Sequence, residues 1–280
     1  MPILWLASFP KSGNTWVRAL LANYLDGGDK PVPINKLPEL GVGDSQLWPY
    51  EQAAGKPLPN ASVQDIMPYK ARAHAILAQD PNRLVFAKTH NALTVLGGTP
   101  TITPSVTAGA IYILRNPLDV VLSYADHYGN THAQAVEAMG SQALITMGRD
   151  NRAPEYLGRW SDHVRGWLGA DGLKRLVLRY EDLQADAGAC LTDILRFLEQ
   201  PVDAGRVAKA VRNSSFDTLA GQEALTGFRE RSKNQQKFFR KGRAGAWRQD
   251  LAPELAEKIV ADHGEVMAEH GYLDAAGRPI

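Results

Sequence analysis

The chain has 280 residues, 44% hydrophobic and 22% charged, a balance that fits one large α/β domain or two small ones with ample core and excludes a disordered or membrane-embedded chain. Its 31 lysines and arginines against 30 acids leave a net charge of +1, which removes any global pull toward nucleic acid or anionic membrane and makes any anion site local. The single cysteine, Cys190, supports neither an internal disulfide nor a thiolate metal cluster; with no signal peptide and no run near the roughly 20 apolar residues of a membrane span, a cytoplasmic protein is expected.

The first element is an apolar run, Ile3 to Phe9, which reads as a buried strand stopped by Pro10,. From Trp16 onward Val17, Leu20, Leu21, Tyr24 and Leu25 recur at helical spacing,. Between strand and helix stand only Pro10-Lys11-Ser12-Gly13-Asn14-Thr15. Such a loop aims free backbone N–H groups and the positive end of a helix at one point, and Lys11 adds an ammonium. The layout is that of a phosphate-binding loop, but the Walker A order is absent because Lys11 precedes Gly13. An ordinary βα turn is the alternative reading.

Residues 26–82 hold eight of the 17 prolines and the aromatics Trp48, Tyr50 and Tyr69, the composition of an irregular excursion with short helices that walls or covers a site. A second strand is expected at Arg83–Ala87, ending in Lys88-Thr89-His90, where polar groups would enter the crevice of an open α/β sheet; His90 is a candidate base. Residues 91–109 read as loop. Ala110–Leu114 is the clearest strand; Asn116 then suits a helix N-cap and Pro117 a first helical residue. Leu118, Val121, Leu122 and Ala125 form the buried stripe of that helix, leaving Asp119, Ser123 and Asp126 on another face. Arg115 at the strand tip and Ser123 two turns on could both reach one anion, the guanidinium fork matching phosphate oxygens.

Further along, helices are expected around 132–147 and 155–168, with Trp160 and Trp167 as core. A strand at Leu173–Arg179 ends in Tyr180-Glu181-Asp182, followed by a helix burying Leu191, Ile194, Leu195 and Leu198 beside Cys190. A short helix spans 202–211. Residues 221–245 form a basic loop with Arg229, Arg231, Lys233, Lys237, Arg240, Lys241 and Arg243, interrupted by Phe238-Phe239 and Gly242 and suited to folding over an anion; a merely solvated face is the plainer reading. Pro253 opens the last helix.

Three anion-suited elements thus share one sheet: Lys11–Thr15, Arg115 with Ser123, and Arg240–Gly242. Two separate phosphate grips suggest a nucleotide phosphorylated at both ends. In combination, FPKSGNTW resembles the 5′-phosphosulfate loop of cytosolic-type sulfotransferases, and ILRNPLDVVLSY their 3′-phosphate motif. Lys88-Thr89-His90 resembles the strand end that carries the family's catalytic histidine. WSDHV at 160–164, YEDL at 180–183 and RKGRAGAW at 240–247 resemble further landmarks, all in the family's order.

The resemblance implies a single domain over 1–280 with a P-loop-like three-layer fold, a central parallel sheet flanked by helices. It also implies the donor 3′-phosphoadenosine 5′-phosphosulfate (PAPS), leaving 3′-phosphoadenosine 5′-phosphate (PAP), with no metal and no nucleic-acid partner. Carried over by residue, Lys11, Ser12, Gly13, Asn14 and Thr15 hold the 5′-phosphosulfate, and Trp16 stacks on adenine opposite Phe216, with Tyr180 and Ser214 beside it. Arg115 and Ser123 hold the 3′-phosphate, closed over by Arg240, Lys241 and Gly242. His90, Lys11, Lys88 and Ser123 form the catalytic set. His90 takes the acceptor hydroxyl proton, Lys11 neutralises the leaving oxygen and Lys88 steadies the transferring oxygens. Two departures stand out: Asn14 replaces a common hydroxyl residue, and Ala246 replaces an aspartate expected to help order the lid. A small hydroxylated acceptor is expected between walls from 26–82, 91–109 and 127–158 plus the basic loop; Trp48, Tyr50 and Tyr69 suggest an apolar or aromatic alcohol, with core packing as their alternative reading. A P-loop small-molecule kinase and a non-catalytic nucleotide-binding module are the alternatives; Lys88 with His90 at one strand end favours catalysis, since binding needs neither.

Overall fold

In a computed structural model, which describes residues 2–78, 84–148 and 151–280, five parallel strands form one sheet. They are β1 (Ile3–Ser8), β2 (Gly41–Gly43), β3 (Val85–Thr89), β4 (Thr107–Leu114) and β5 (Arg175–Arg179), in the order β2-β3-β1-β4-β5. The middle strand β1 is covered on both faces, so all six of its residues are buried and its sequence is apolar throughout instead of alternating. Its side chains are still sorted by parity: Ile3, Trp5 and Ala7 enter one core, Leu4 and Leu6 the other,.

Seven helices matter for the site: α1 (Asn14–Asp26), α2 (Pro117–Tyr128), α3 (Trp160–Gly169), α4 (Ala187–Phe197), α5 (Ala204–Asn213), α6 (Phe216–Thr226) and α7 (Pro253–Glu269). α1, α4 and α5 bring Val17, Leu20, Leu191, Ile194 and Val207 to the Leu4 face. α2, α3 and α7 bring Val121, Trp160, Trp167, Ile259 and Val266 to the Trp5 face. The result is three layers, helices on both sides of a parallel sheet. The C-terminal ends of β1, β3, β4 and β5 therefore open on one rim, at Ser8, Thr89, Leu114 and Arg179, the side where such sheets bind ligands.

Several expected elements are redrawn. Leu25, in the last turn of α1, falls outside the buried stripe and is 48% exposed. Arg83, the expected start of the second strand, lies outside the described residues, and β3 itself runs on through Lys88 and Thr89. The 91–109 segment is more than loop: Val95–Leu96 pairs antiparallel with Thr99–Pro100, and β4 starts at Thr107. The expected helices over 132–147 and 155–168 shorten to His132–Gly140 and α3, since Ile145–Thr146 and Glu155–Tyr156 pair as a two-stranded ribbon. The start of the basic loop is helical to Thr226. Within 26–82 the short helices are present, and Gly41–Gly43 adds the edge strand β2, which no periodicity announced.

Candidate active site

At the end of β1 the backbone turns sharply, with Lys11 at φ 68° and Gly13 at φ 108°. Gly13 is the N-cap of α1 and offers no side-chain cap; a Cβ on it would stand 2.7 Å from Tyr180 Cδ2, so glycine alone fits. The first N–H groups of α1 are thereby left for something outside the helix. Lys11 Nζ, Ser12 Oγ and Asn14 Oδ1 are buried without a hydrogen-bond partner among the described residues. Lys11 Nζ lies 3.8 Å from the Phe238 ring centroid; burial, then the Lys88 charge, brings its pKa down to about 7. Asn14 turns its amide back to β1, donating to Leu6 O at 2.9 Å and Ser8 Oγ at 3.5 Å, which ties the helix start to the strand end. Thr15 Oγ1 accepts from Arg18, and Arg18 makes a bidentate pair with Glu230 of the basic loop at 2.8 and 2.6 Å.

The junction after β4 repeats this layout. Asn116 Oδ1 accepts from Leu118 N at 3.0 Å, capping α2,. Arg115 donates to Lys11 O at 2.9 Å and stacks 4.1 Å from the Tyr180 ring centroid, with its Nε buried and unpartnered. Tyr180 meets Trp16 edge-on at 5.7 Å. Ser214 is buried, its hydroxyl accepting from Asn23 at 3.1 Å.

Besides the Arg18–Glu230 pair, the basic loop is held at several places. Phe238 and Phe239 donate their N–H groups to Glu223 of α6 at 2.8 and 3.0 Å. Gln235 bonds Asp126 at 2.6 Å and His127 at 2.8 Å. Gln184 accepts from Ala244 N and donates to Gly242 O. Asp119 accepts from Gly245 N at 2.6 Å and Trp247 N at 3.1 Å. The turn around Ala246, where an aspartate was expected to supply order, is thus anchored by an acid of α2. Gly242 has φ 58°, and a Cβ there would stand 2.1 Å from Phe216 Cδ2. Arg240 sits 3.9 Å from Asp126, and Lys241 pairs with Asp250.

His90 follows directly on β3. Its Nδ1 lies 2.7 Å from Ser8 O, an acceptor only, so Nδ1 carries the proton and Nε2 keeps a free lone pair. Its backbone N donates to Glu155 Oε1 at 2.7 Å, and its carbonyl accepts from His163 Nε2 at 3.1 Å. Burial and then Lys88 hold the imidazole pKa well below its ordinary value. Burial likewise lowers Lys88, and it lowers His127 to about 4 with help from Lys11. Glu230 is pushed up by burial, but Lys88 and Arg18 bring it down to about 2.

These elements surround one cavity of about 530 Å³. It is lined by His90, Lys88, Lys11, Gly13, Asn14, Thr15, Trp16, Arg115, Ser123, Tyr180, Ser214, Phe216, Arg240, Lys241 and Gly242, that is, by every residue expected at the site except Ser12, which is buried beneath the loop. Asp119 and Asp126 line it too. Of the two readings of Trp48, Tyr50 and Tyr69, the pocket wall is not found: none of them lines the cavity. Tyr50 is bonded to Asp44 in a separate core, Tyr69 packs against that core and Trp48 faces solvent. In their place stand Ser45, Tyr128, Thr146, Met147, Arg152 and Glu155. The Arg18–Glu230 pair, Glu155 and the buried Asp44 were not foreseen, since each is paired across the chain and leaves no local pattern.

A P-loop-like three-layer α/β fold with an electropositive cavity on the strand ends is the class this geometry defines. A model of the sulfotransferase domain matches residues 2–271, and the chain belongs to that family. Sulfotransferase 2A2 of Mus musculus is 26% identical over 270 residues, 95% of this chain and 84% of that one. An amine sulfotransferase of Oryctolagus cuniculus is 28% identical over 160 residues, a match spanning about half of each chain (54% and 52%). Among solved structures, mouse sulfotransferase SULT7A1 complexed with PAP superposes with a TM-score of 0.60 over 99% of this chain and 87% of that one, at 21% identity. Retinol dehydratase in complex with androsterone and PAP gives 0.66 over 95% and 80%, at 17%. The structural likeness is one of fold.

Proposed function

We propose that this sulfotransferase moves the sulfuryl group of PAPS to the hydroxyl of a small-molecule acceptor, with His90 as base. The observation that carries the reading is the pair of buried cationic groups left without partners around the cavity, Lys11 Nζ and Arg115 Nε, beside a helix start with no side-chain cap. A buried ammonium or guanidinium without a counter-ion is costly, and a doubly phosphorylated nucleotide supplies anionic oxygens for both junctions. Lys11, Gly13, Asn14 and Thr15 would hold the 5′ end, Arg115, Ser123, Arg240 and Lys241 the 3′-phosphate, and Trp16, Tyr180 and Phe216 the base. PAP in the two solved relatives, and androsterone in one, are consistent with this ligand set.

When bound, the donor supplies an activated sulfuryl group with a phosphate leaving group; the chain supplies proton removal and charge. His90 Nε2 takes the acceptor hydroxyl proton, its low pKa keeping it neutral at physiological pH,. Lys11 pairs with the departing phosphate oxygen and Lys88 with the sulfuryl oxygens, charges set in place before the reaction. The domain reading over 1–280, with acceptor walls from 26–82 and 127–158 and a lid over 221–245, belongs to the same proposal.

The test is PAPS-dependent sulfation across a panel of hydroxylated compounds, with PAP release as readout. Magnesium-dependent ATP consumption in its place would support the kinase alternative, and nucleotide binding without turnover a binding module. Arg115→Ala is expected to weaken PAP about 10- to 100-fold, by loss of charge-assisted hydrogen bonds worth about 1.5–3 kcal/mol, and to leave the 3′-dephospho analogue nearly unaffected. Calorimetry giving equal losses for both would remove Arg115 from the 3′-phosphate.

A further inference from the structure

We propose that Asp44, in the chain excursion before β3, is a positioning residue for His90. Asp44 is 1% exposed, and its carboxylate accepts from five side chains. Oδ1 takes Tyr50 OH at 2.7 Å, Lys70 Nζ at 3.0 Å and His74 Nε2 at 3.0 Å, all from the excursion itself. Oδ2 takes Thr89 Oγ1 at 2.9 Å and Asn91 Nδ2 at 2.7 Å, the residues on either side of His90, and shares Lys70 Nζ at 3.1 Å. The Asp44 backbone N–H adds a bond to Lys88 O at 2.8 Å. Asn91 passes the constraint on: its Oδ1 accepts from Tyr156 N at 2.8 Å, and the neighbouring Glu155 accepts the His90 N–H. His90 is thus gripped before, at and after its own Cα, and the excursion and the acceptor wall meet at its base.

Bonds of this kind decide reactivity because the base must meet the acceptor oxygen within a few tenths of an ångström. The carboxylate is a lasting acceptor: burial would push its pKa up, but Lys70 and His74 hold it well below the usual range. Burial keeps His74 low in turn, so its Nε2–H donates to Asp44 while Nδ1 faces Thr103 Oγ1 at 2.9 Å.

The proposal rests on the reading of His90 as the base, and the experiment separates the two. Asp44→Asn would leave Lys70 facing a neutral amide and endanger the fold, so the link is cut from the other side. Thr89→Val keeps the shape and loses both the bond donated to Asp44 and the one accepted from Asn91 N; Thr89→Ser keeps the hydroxyl and loses the methyl. Thr89→Val is expected to lower kcat about 10- to 100-fold with the PAP Kd changed less than about twofold, and Thr89→Ser to recover most of that loss. Imidazole ¹⁵N shifts provide a readout independent of turnover: His90 is expected to show one tautomer, protonated at Nδ1, in the parent and a mixture in Thr89→Val. A parent that sulfates no acceptor overturns the functional reading, and the imidazole spectrum then decides the positioning alone. Equal losses in the two Thr89 variants, a parallel loss of PAP affinity, or an unchanged His90 spectrum in Thr89→Val overturns the proposal.

Discussion

At the scale of single residues the proposed chemistry rests on a lysine and a histidine, both tuned by burial. Lys11 is brought to about 7 because it is desolvated beside a second lysine, so below that pH it is already charged and above it neutral. An anion that pairs with it raises its pKa again, so binding above pH 7 must take up a proton. PAP affinity is therefore expected to fall as pH rises from about 7 to 9, by up to about tenfold per unit. Calorimetry at pH 8.5 in two buffers of different ionisation enthalpy should register close to one proton taken up, and Lys11→Arg should register none; a flat affinity with no buffer dependence would show that Lys11 does not meet the nucleotide. In the proposed reaction His90 has the opposite task, proton acceptance with little role in holding the donor. His90→Ala is expected to cut turnover about 10²- to 10⁴-fold while the PAP Kd stays within about twofold, and comparable loss of both would remove His90 from the role of base.

At the scale of elements, the strand–loop–helix junctions were legible because their signals are local. The apolar run before Lys11, the N-cap and proline at 116–117, and the stripe of α2 each lie within a short stretch of chain. Elements completed by distant partners were not: β2 is a strand only because β3 supplies its ladder, and the ribbon at Ile145–Thr146 and Glu155–Tyr156 consists of two residue pairs, too short for any period to show. The lid combines both kinds. Its charges could be read from sequence, whereas its anchors on Glu223, Asp119 and Gln184 could not. Gly242 is where the basic loop touches Phe216, and alanine there meets the Phe216 ring at a φ that L residues disfavour,. Gly242→Ala is expected to weaken PAP by about 1–2 kcal/mol, roughly tenfold, with little change in Tm because the loop is largely exposed. Unchanged affinity would mean that the lid does not close on Phe216.

Across the whole molecule, two cores on either side of the sheet account for the fold, and a third, smaller one built from Leu47, Tyr50, Leu58, Ile66 and Ile76 belongs to the excursion. The apolar periodicity of β1, α1 and α2 made the first two readable; the third was ambiguous because its aromatics suit a pocket wall as well as a core. What joins it to the sheet is polar: Asp44 bonds Lys70 and His74 on one side and the end of β3 on the other. Lys70 is 1% exposed, so removing its partner leaves an ammonium buried without a counter-charge, a change that costs about 3–5 kcal/mol and for a chain of this size lowers Tm by about 10 °C. Asp44→Ala is expected to show that loss, together with faster proteolysis within 45–78. Because the penalty comes from the stranded charge, adding Lys70→Met should restore much of the Tm, a gain that Lys70→Met alone, which leaves Asp44 with fewer donors, should not give. A double variant no more stable than Asp44→Ala would place the cost in the lost bonds to Thr89 and Asn91 instead, and the excursion would then be held to the sheet by hydrogen bonding to the strand end more than by charge.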